Sequence, residues 1–368
     1  MTGNIDFHCP PRVLFGRGRI RELEGLLEPG EESVLVVTDP GLKEHGGAVD
    51  AVRRALSDRE IILFDRVEAN PPFEVVERGR ELARKSGADV VIGLGGGSPM
   101  DAAKGIAALA VNPGELREYM AGRALEAAPL PVIAVPTTSG TGSEVTPYAV
   151  FTDRGQGAKG ALAHPGLFPR AALIDPELTW SMPRPVRIDT GLDAISHAIE
   201  AFVSLDSSPL SDLYAREGVR LGIEHLPGAS GGRKEDMDRM AWAAMLGGVA
   251  IAQASTVLLH IMGYPLTVFH GVSHGRANAA LLPVFMEFLR RSAESADKAA
   301  ELDAMFERVG GAEGFVRGLG VSTRLADYGV TAAEIDGFVG KVIVKGDVAI
   351  TPGDVTAEVI AGLYRSAL

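Results

Sequence analysis

The stretch "ADVVIGLGGGSPMDAAKGIAALA", residues 88–110, decides the fold class. An apolar run over 89–94 ends in Gly95, Gly96 and Gly97, and an alanine-rich helical pattern follows. A short apolar run bounded by glycine reads as a strand buried on both faces. The glycines let the backbone turn sharply and come close to a ligand. Ser98 is placed as an N-cap, Pro99 as the first helical residue and Asp101 as the acid of a capping box. The free N–H groups and positive end of such a helix favour a phosphate. Strand, glycine turn and helix make one unit of a parallel α/β sheet, whose ligands bind beyond the carboxyl ends of the strands.

The alternation continues on both sides. Strands are expected over 33–39, 60–65, 131–136 and 170–175, with amphipathic stretches such as 72–85 between them. This predicts a Rossmann-like α/β domain over residues 1–180. The segment "DPELTWSMPRPVRID" then brings Pro176, Pro183 and Pro185, and strand signals fade. "TGLDAISHAIEAFV", "SDLYAREGVRLGIEHL", "DRMAWAAMLGGVAIAQ", "VFMEFLRRSAESADKAAELDAMFERVG" and "TAEVIAGLYRSAL" all carry helical periodicity. An all-helical domain over 181–368 is the expectation. Residues 241–263 are apolar enough to span a bilayer. They also hold Gln253, Ser255, Thr256 and His260, with Pro265 close behind, so a helix buried in protein is expected.

Composition narrows the partners. Of 368 residues, 46% are hydrophobic and 23% charged, and the net charge is −12. That balance argues against nucleic acid and against an anionic membrane surface. The single cysteine, Cys9, excludes an intrachain disulfide and points to a reducing cytoplasm. The N-terminal residues lack the basic and apolar regions of a signal peptide.

A second turn supports a nucleotide site. "PVIAVPTTSGTGSEVTP", residues 131–147, places Thr137, Thr138 and Thr141 among small residues at another strand end. The dinucleotide fingerprint is not strictly met, since Ser98 stands where the third glycine belongs. The ribose-binding acid about 20 residues downstream is also missing. Asp39, in "VVTDPG", could take that part and would repel a 2′-phosphate, favouring NAD over NADP. It could equally serve an Asp-Pro-Gly turn.

The helical half offers metal ligands. Asp193 and His197 stand four apart and so share a helix face. "LLHIMGYPLTVFHGVSHG", residues 258–275, holds three of the eight histidines, and no charged residue occurs between Arg239 and Arg276. Buried imidazoles need partners. Four donors drawn from Asp193, His197, His260, His270 and His274 would satisfy Fe²⁺ or Zn²⁺ with a position open for substrate. Gly271 and Gly275 suggest that His270 and His274 sit in a loop before a helix starting near Arg276.

Four stretches together carry a family resemblance: "GLGGGSPMDAAKGIA", "PTTSGTGSEVTPYAVFTD", "TGLDAISHAIEAFVS" and "HGVSHGRANAALLPVFMEF". The chain resembles the iron-containing (group III) alcohol dehydrogenases, and "HIMGYPLT" is similar to their branch of 1,3-propanediol and butanol dehydrogenases. The resemblance implies a dehydroquinate-synthase-like fold. It matches Asp193, His197, His260 and His274 to metal ligands, so His270 leaves that set. It matches Gly96, Gly97, Ser98 and Asp101 to the pyrophosphate turn. Asp39, Asn70, Thr137, Thr138, Thr141 and Lys159 match other cofactor contacts. Many members carry a second histidine four residues after the one matching His260, where this chain has Tyr264. His270 or bulk water is then expected to relay the proton.

The implied function is reversible, metal-dependent hydride transfer between a primary alcohol or aldehyde and NAD(H), by a homodimer or larger homo-oligomer. The rival within the superfamily is maleylacetate or hydroxy-acid reduction, which would call for a basic residue facing the substrate carboxylate. A phosphorylated-sugar lyase or a non-catalytic NAD- or metal-binding protein fits the residues less well.

Overall fold

The computed structural model describes residues 5–45, 47–155 and 158–368. The chain divides into two units, Cys9–Met182 and Pro183–Leu368, with residues 5–8 belonging to the second. Residues 5–8 therefore leave the domain the sequence assigned them to. The reason is local: the His8 N–H donates to Gln253 at 3.0 Å, Gln253 Nε2 donates back to the His8 carbonyl at 2.9 Å, and Phe7 stacks on Tyr214.

In the α/β unit the strands are β1 (Arg12–Phe15), β2 (Ser33–Val37), β3 (Glu60–Phe64), β4 (Val90–Gly95), β5 (Val132–Pro136), β6 (Tyr148–Asp153), β7 (Ala158–Ala163) and β8 (Ala171–Ile174). Six of them form one parallel sheet in the order β1-β8-β5-β4-β2-β3, and β6 pairs antiparallel with β7. The helices are α1 (Pro40–His45), α2 (Ala48–Ala55), α3 (Phe73–Ser86), α4 (Gly97–Val111) and α5 (Leu116–Met120). Side chains alternate across a strand, and the central strands are apolar on both faces. Leu35, Val37 and Val91 therefore join one core with Val75, Val76 and Ile106. Val34, Val36, Val90, Ile92 and Leu94 join the other with Leu23, Val49 and Val52. Two covered faces explain the continuous apolar runs.

The helical unit comprises α6 (Arg184–Val203), α7 (Pro209–Ser230), α8 (Lys234–Ala254), α9 (Leu258–His270), α10 (His274–Arg291), α11 (Ala296–Phe306), α12 (Gly311–Gly318), α13 (Ile335–Val342) and α14 (Ala357–Ala367). Three sequence expectations are corrected here. The long helical stretch at 284–310 breaks at residues 292–295, where Ser295 Oγ turns back to the Leu289 carbonyl. The helix expected over 241–263 is two helices, bent by 112° after Ala254. Ser255 makes the bend with φ 60°, a left-handed conformation that side chains rarely adopt. Finally, α10 begins at His274 rather than near Arg276, and His270 ends α9. Among the described residues no single helix is long and apolar enough to cross a membrane.

Candidate functional site

On α6, Asp193 and His197 share the buried face that their spacing predicts, at 4% and 6% exposure. The bend at Ser255 brings His260, 2% exposed, to the same place, and the start of α10 delivers His274. Asp193 Oδ1 lies 3.6 Å from His260 Nε2 and 3.8 Å from His274 Nε2. One donor atom each from Asp193, His260 and His274 falls within 4.8 Å of the others. His197 stands beside them, its Nδ1 4.0 Å from Asp193 Oδ2 and its ring stacked on His260 at 4.4 Å. A tetrahedral ion with ligands at about 2.1 Å holds their atoms about 3.4 Å apart, so this donor set fits a divalent cation with little movement. His260 Nε2 is buried and has no hydrogen-bond partner among the described residues, which is the condition a metal would relieve.

Without an ion, the same groups compensate one another's charge. Burial works against the Asp193 carboxylate, but His197, His274 and His260 hold it well below the usual carboxylate range. Burial likewise opposes a charge on His260, yet Glu200 and Asp193 push it up to about 10. Asn278, fully buried and four residues after His274, donates Nδ2 to Asp193 Oδ1 at 3.3 Å. The sequence reading missed Asn278, although its spacing from His274 places it on the same helix face.

His270 is not brought to this group. It lies ten residues beyond His260 on α9, about 15 Å along the axis at helical rise. There its Nε2 meets Glu334 Oε1 at 3.0 Å. A proton relay needs hydrogen-bond reach of the reacting group, and this position offers none toward His260. Tyr264 is nearer, its ring stacked against His274 at 5.6 Å.

In the α/β unit, the turns after β2, β4 and β5 lie side by side, because those strands are neighbours in the sheet. Helix α4 starts at Gly97 with Gly96 as N-cap, and no side chain caps it. Its first N–H groups remain available to an anion. Both glycines are needed for space: a Cβ on Gly96 would meet Thr138 Oγ1 at 3.2 Å, and one on Gly97 would meet Thr141 Cγ2 at 2.6 Å. Asp39 caps α1 by accepting from the Leu42 N–H at 2.9 Å, and its Oδ2 would lie 3.4 Å from a Cβ on Gly95. Asn70 takes φ 54°, accepts Lys159 Nζ at 2.5 Å, and donates its N–H to Ser98 Oγ at 3.1 Å. The Thr137 N–H donates to the Gly95 carbonyl at 2.9 Å.

Two local expectations fail in this turn. Ser98 is not the N-cap, because its hydroxyl is taken by Asn70. Asp101 does not complete a capping box, because its carboxylate accepts from Ser143 Oγ at 2.7 Å and from the Val150 N–H at 2.9 Å. These two bonds brace the turn.

A family model described as "Iron-containing alcohol dehydrogenase" matches residues 10–176, and one described as "Fe-containing alcohol dehydrogenase family, C-terminal" matches residues 187–368. The chain belongs to the iron-containing alcohol dehydrogenase family. It is 31% identical to the 1,3-propanediol dehydrogenase of Citrobacter freundii, over 100% of this chain and 98% of that one. It is 32% identical to the NAD-dependent methanol dehydrogenase of Bacillus methanolicus, over 76% of this chain and 74% of that one. The crystal structure of an iron-containing alcohol dehydrogenase from Thermotoga maritima superimposes with a TM-score of 0.90 at 36% identity, covering 99% of each chain. The protein is thus an NAD-dependent oxidoreductase of this family, for which NAD and a metal are typical.

Beneath the glycine turn after β4 this dehydrogenase carries a buried charge network. Lys104 is fully buried and donates to Ser143 Oγ at 2.8 Å and to the Thr146 and Tyr148 carbonyls at 3.0 and 2.7 Å. Burial lowers its pKa to about 8, against the pull of Asp101 and Glu144. Burial also raises Glu144 to about 7, against its own backbone N–H and Lys104. Between its unfolded value near 4.5 and about 7, the folded state holds the Glu144 proton more tightly than the unfolded chain does. Stability therefore falls as pH rises through that window. Over 2–3 pKa units this amounts to about 3 kcal/mol. Glu144→Gln should flatten the decline, read as urea midpoints from pH 5 to 7.5. An unchanged slope would mean that Glu144 is ionised at low cost.

Proposed function

We propose that this dehydrogenase interconverts a primary alcohol and its aldehyde, with NAD in preference to NADP and with Fe²⁺ or Zn²⁺ held by Asp193, His197, His260 and His274. The carrying observation is the convergence of one carboxylate and three imidazoles from α6, α9 and α10, all buried but His274, which is partly exposed. A cation there supplies Lewis acidity toward the substrate oxygen. NAD supplies the hydride acceptor. The chain's own residues bind and orient. Gly96, Gly97 and the open end of α4 receive the pyrophosphate, with Ser98, Thr137, Thr138 and Thr141 around it. Asp101 shapes this turn from within. Asn70 and Lys159 act as one hydrogen-bonded unit on the cofactor. Asp39, already fixed by the Leu42 N–H, accepts from a ribose and repels a 2′-phosphate. Three imidazoles and one carboxylate accept either metal, so supply decides between them. A homo-oligomer in a reducing cytoplasm belongs to the same proposal, resting on the family and on the single cysteine.

The test uses protein stripped of metal and reloaded anaerobically with Fe²⁺ or Zn²⁺. NADH absorbance is followed with ethanol, 1-butanol, 1,3-propanediol and small hydroxy acids. Turnover with alcohols that appears only on reloading is the expected result. Preference for the hydroxy acids would move the substrate class to carboxylates. Equal turnover by stripped protein would overturn the metal's part.

A further inference from the structure

A fully buried carboxylate behind the metal site has no part in the proposal so far. Glu200 lies on α6, seven residues after Asp193 and three after His197, on the same helix face, and is 0% exposed. One of its oxygens, Oε1, accepts from the N–H groups of Val257 at 2.9 Å and His260 at 3.1 Å. Those donors sit at the start of α9, where no side chain at the N-cap position itself does so. The other oxygen, Oε2, meets His260 Nδ1. The opposite ring nitrogen, Nε2, faces Asp193 Oδ1.

We infer that Glu200 is the positioning residue of the metal site. It holds the Nδ1–H of His260 and so keeps Nε2 as the ligating atom, while its other oxygen fixes the backbone from which that ring hangs. The inference rests on the reading of Asp193, His197, His260 and His274 as metal ligands. A neutral imidazole offers one lone pair, and the hydrogen bond at one nitrogen decides which nitrogen can ligate. A carboxylate behind a ligating histidine sets the ring's orientation and raises its basicity. Glu200 acts through His260 and does not reach the reacting atoms.

Glu200→Gln separates this role from simple helix capping. Its amide oxygen can still accept from Val257 and His260 N–H, but its NH₂ donates toward Nδ1 and favours a proton on Nε2, the wrong tautomer. Zn²⁺ alone, titrated into stripped protein, is expected to bind the variant about 10–100-fold more weakly than wild type. The metal-free thermal midpoint is expected to fall as well, because Glu200 is half of a buried pair with His260, so metal affinity is measured well below that midpoint. In the Zn²⁺-loaded wild type labelled with ¹⁵N-histidine, His260 should show a proton on Nδ1 and none on Nε2. This second measurement decides the matter if the variant does not fold. Wild-type affinity in Glu200→Gln, or a loaded wild type with the His260 proton on Nε2, would overturn the inference. A wild type that binds no Zn²⁺ would instead overturn the metal-site reading beneath it.

Discussion

Asp193→Asn protein should emerge nearly free of metal and oxidise alcohol at least about a thousandfold more slowly than wild type. Asp193 is the one carboxylate in a donor set otherwise made of imidazoles, and its two oxygens face His260, His274 and His197 at 3.6, 3.8 and 4.0 Å. Asparagine fills the same volume but removes the only negative charge aimed at the cation. Its NH₂ would also confront the Nδ2 of Asn278, which now donates to Asp193 at 3.3 Å. Lewis-acid stabilisation is worth several kcal/mol, and each 1.4 kcal/mol is about tenfold in rate, which sets the expected loss. Metal content by mass spectrometry and rate by NADH absorbance should fall together. A variant with full metal and an undiminished rate would remove Asp193 from the site.

Gly275→Ala should damage both stability and metal binding. A Cβ at Gly275 would lie 1.8 Å from the Asp189 carbonyl oxygen and 2.9 Å from Asp193 Cβ. The first obstacle is backbone, so no rotamer relieves it. Helix α10 would have to move away from α6, against ties already in place. Arg276 donates to Asp189 at 2.8 Å, and Ser273 Oγ donates to the other Asp189 oxygen at 2.5 Å. His274 is the adjacent residue and would move with the backbone. Overpacking of this kind costs about 1–3 kcal/mol, and more where nothing yields. A fall of about 5–10 °C in thermal midpoint follows for a unit of this size. Both variants are expected to lower the metal-free midpoint, Asp193→Asn by removing a carboxylate that its histidines hold ionised and Gly275→Ala by overpacking. A Gly275→Ala protein with wild-type midpoint and metal content would show that α10 yields cheaply.

Much of this was legible in the chain, and the exceptions have physical causes. The five predicted strands correspond to β2, β3, β4, β5 and β8, because burial on both faces leaves long apolar runs. Strand β1 was not foreseen: it has four residues and lies at a sheet edge. Strand β7, "AKGALA", has almost no strand propensity and is held by pairing with β6. The Asp193 and His197 pair was visible because helical spacing fixes their common face. The bend that carries His260 toward them was not. It falls on Ser255, with no glycine or proline to announce it, and the buried Glu200 beyond it receives the new helix start. Asp101 illustrates the opposite error: a local capping pattern lost to Ser143 and Val150, partners more than 40 residues away.

The donor atoms come from three helices, and the last of them, His274, follows Asp193 by 81 positions along the chain. During synthesis, a nascent chain that has not yet released His274 from the ribosome presents an incomplete and undocked donor set. Docking α10 against α6 is therefore the event that creates a site worth filling. An ion bound there closes loops that the unfolded chain would otherwise leave open, at an entropic cost that grows only slowly with loop length. If Asp193, His197, His260 and His274 hold the ion as proposed, its uptake follows the docking of α10.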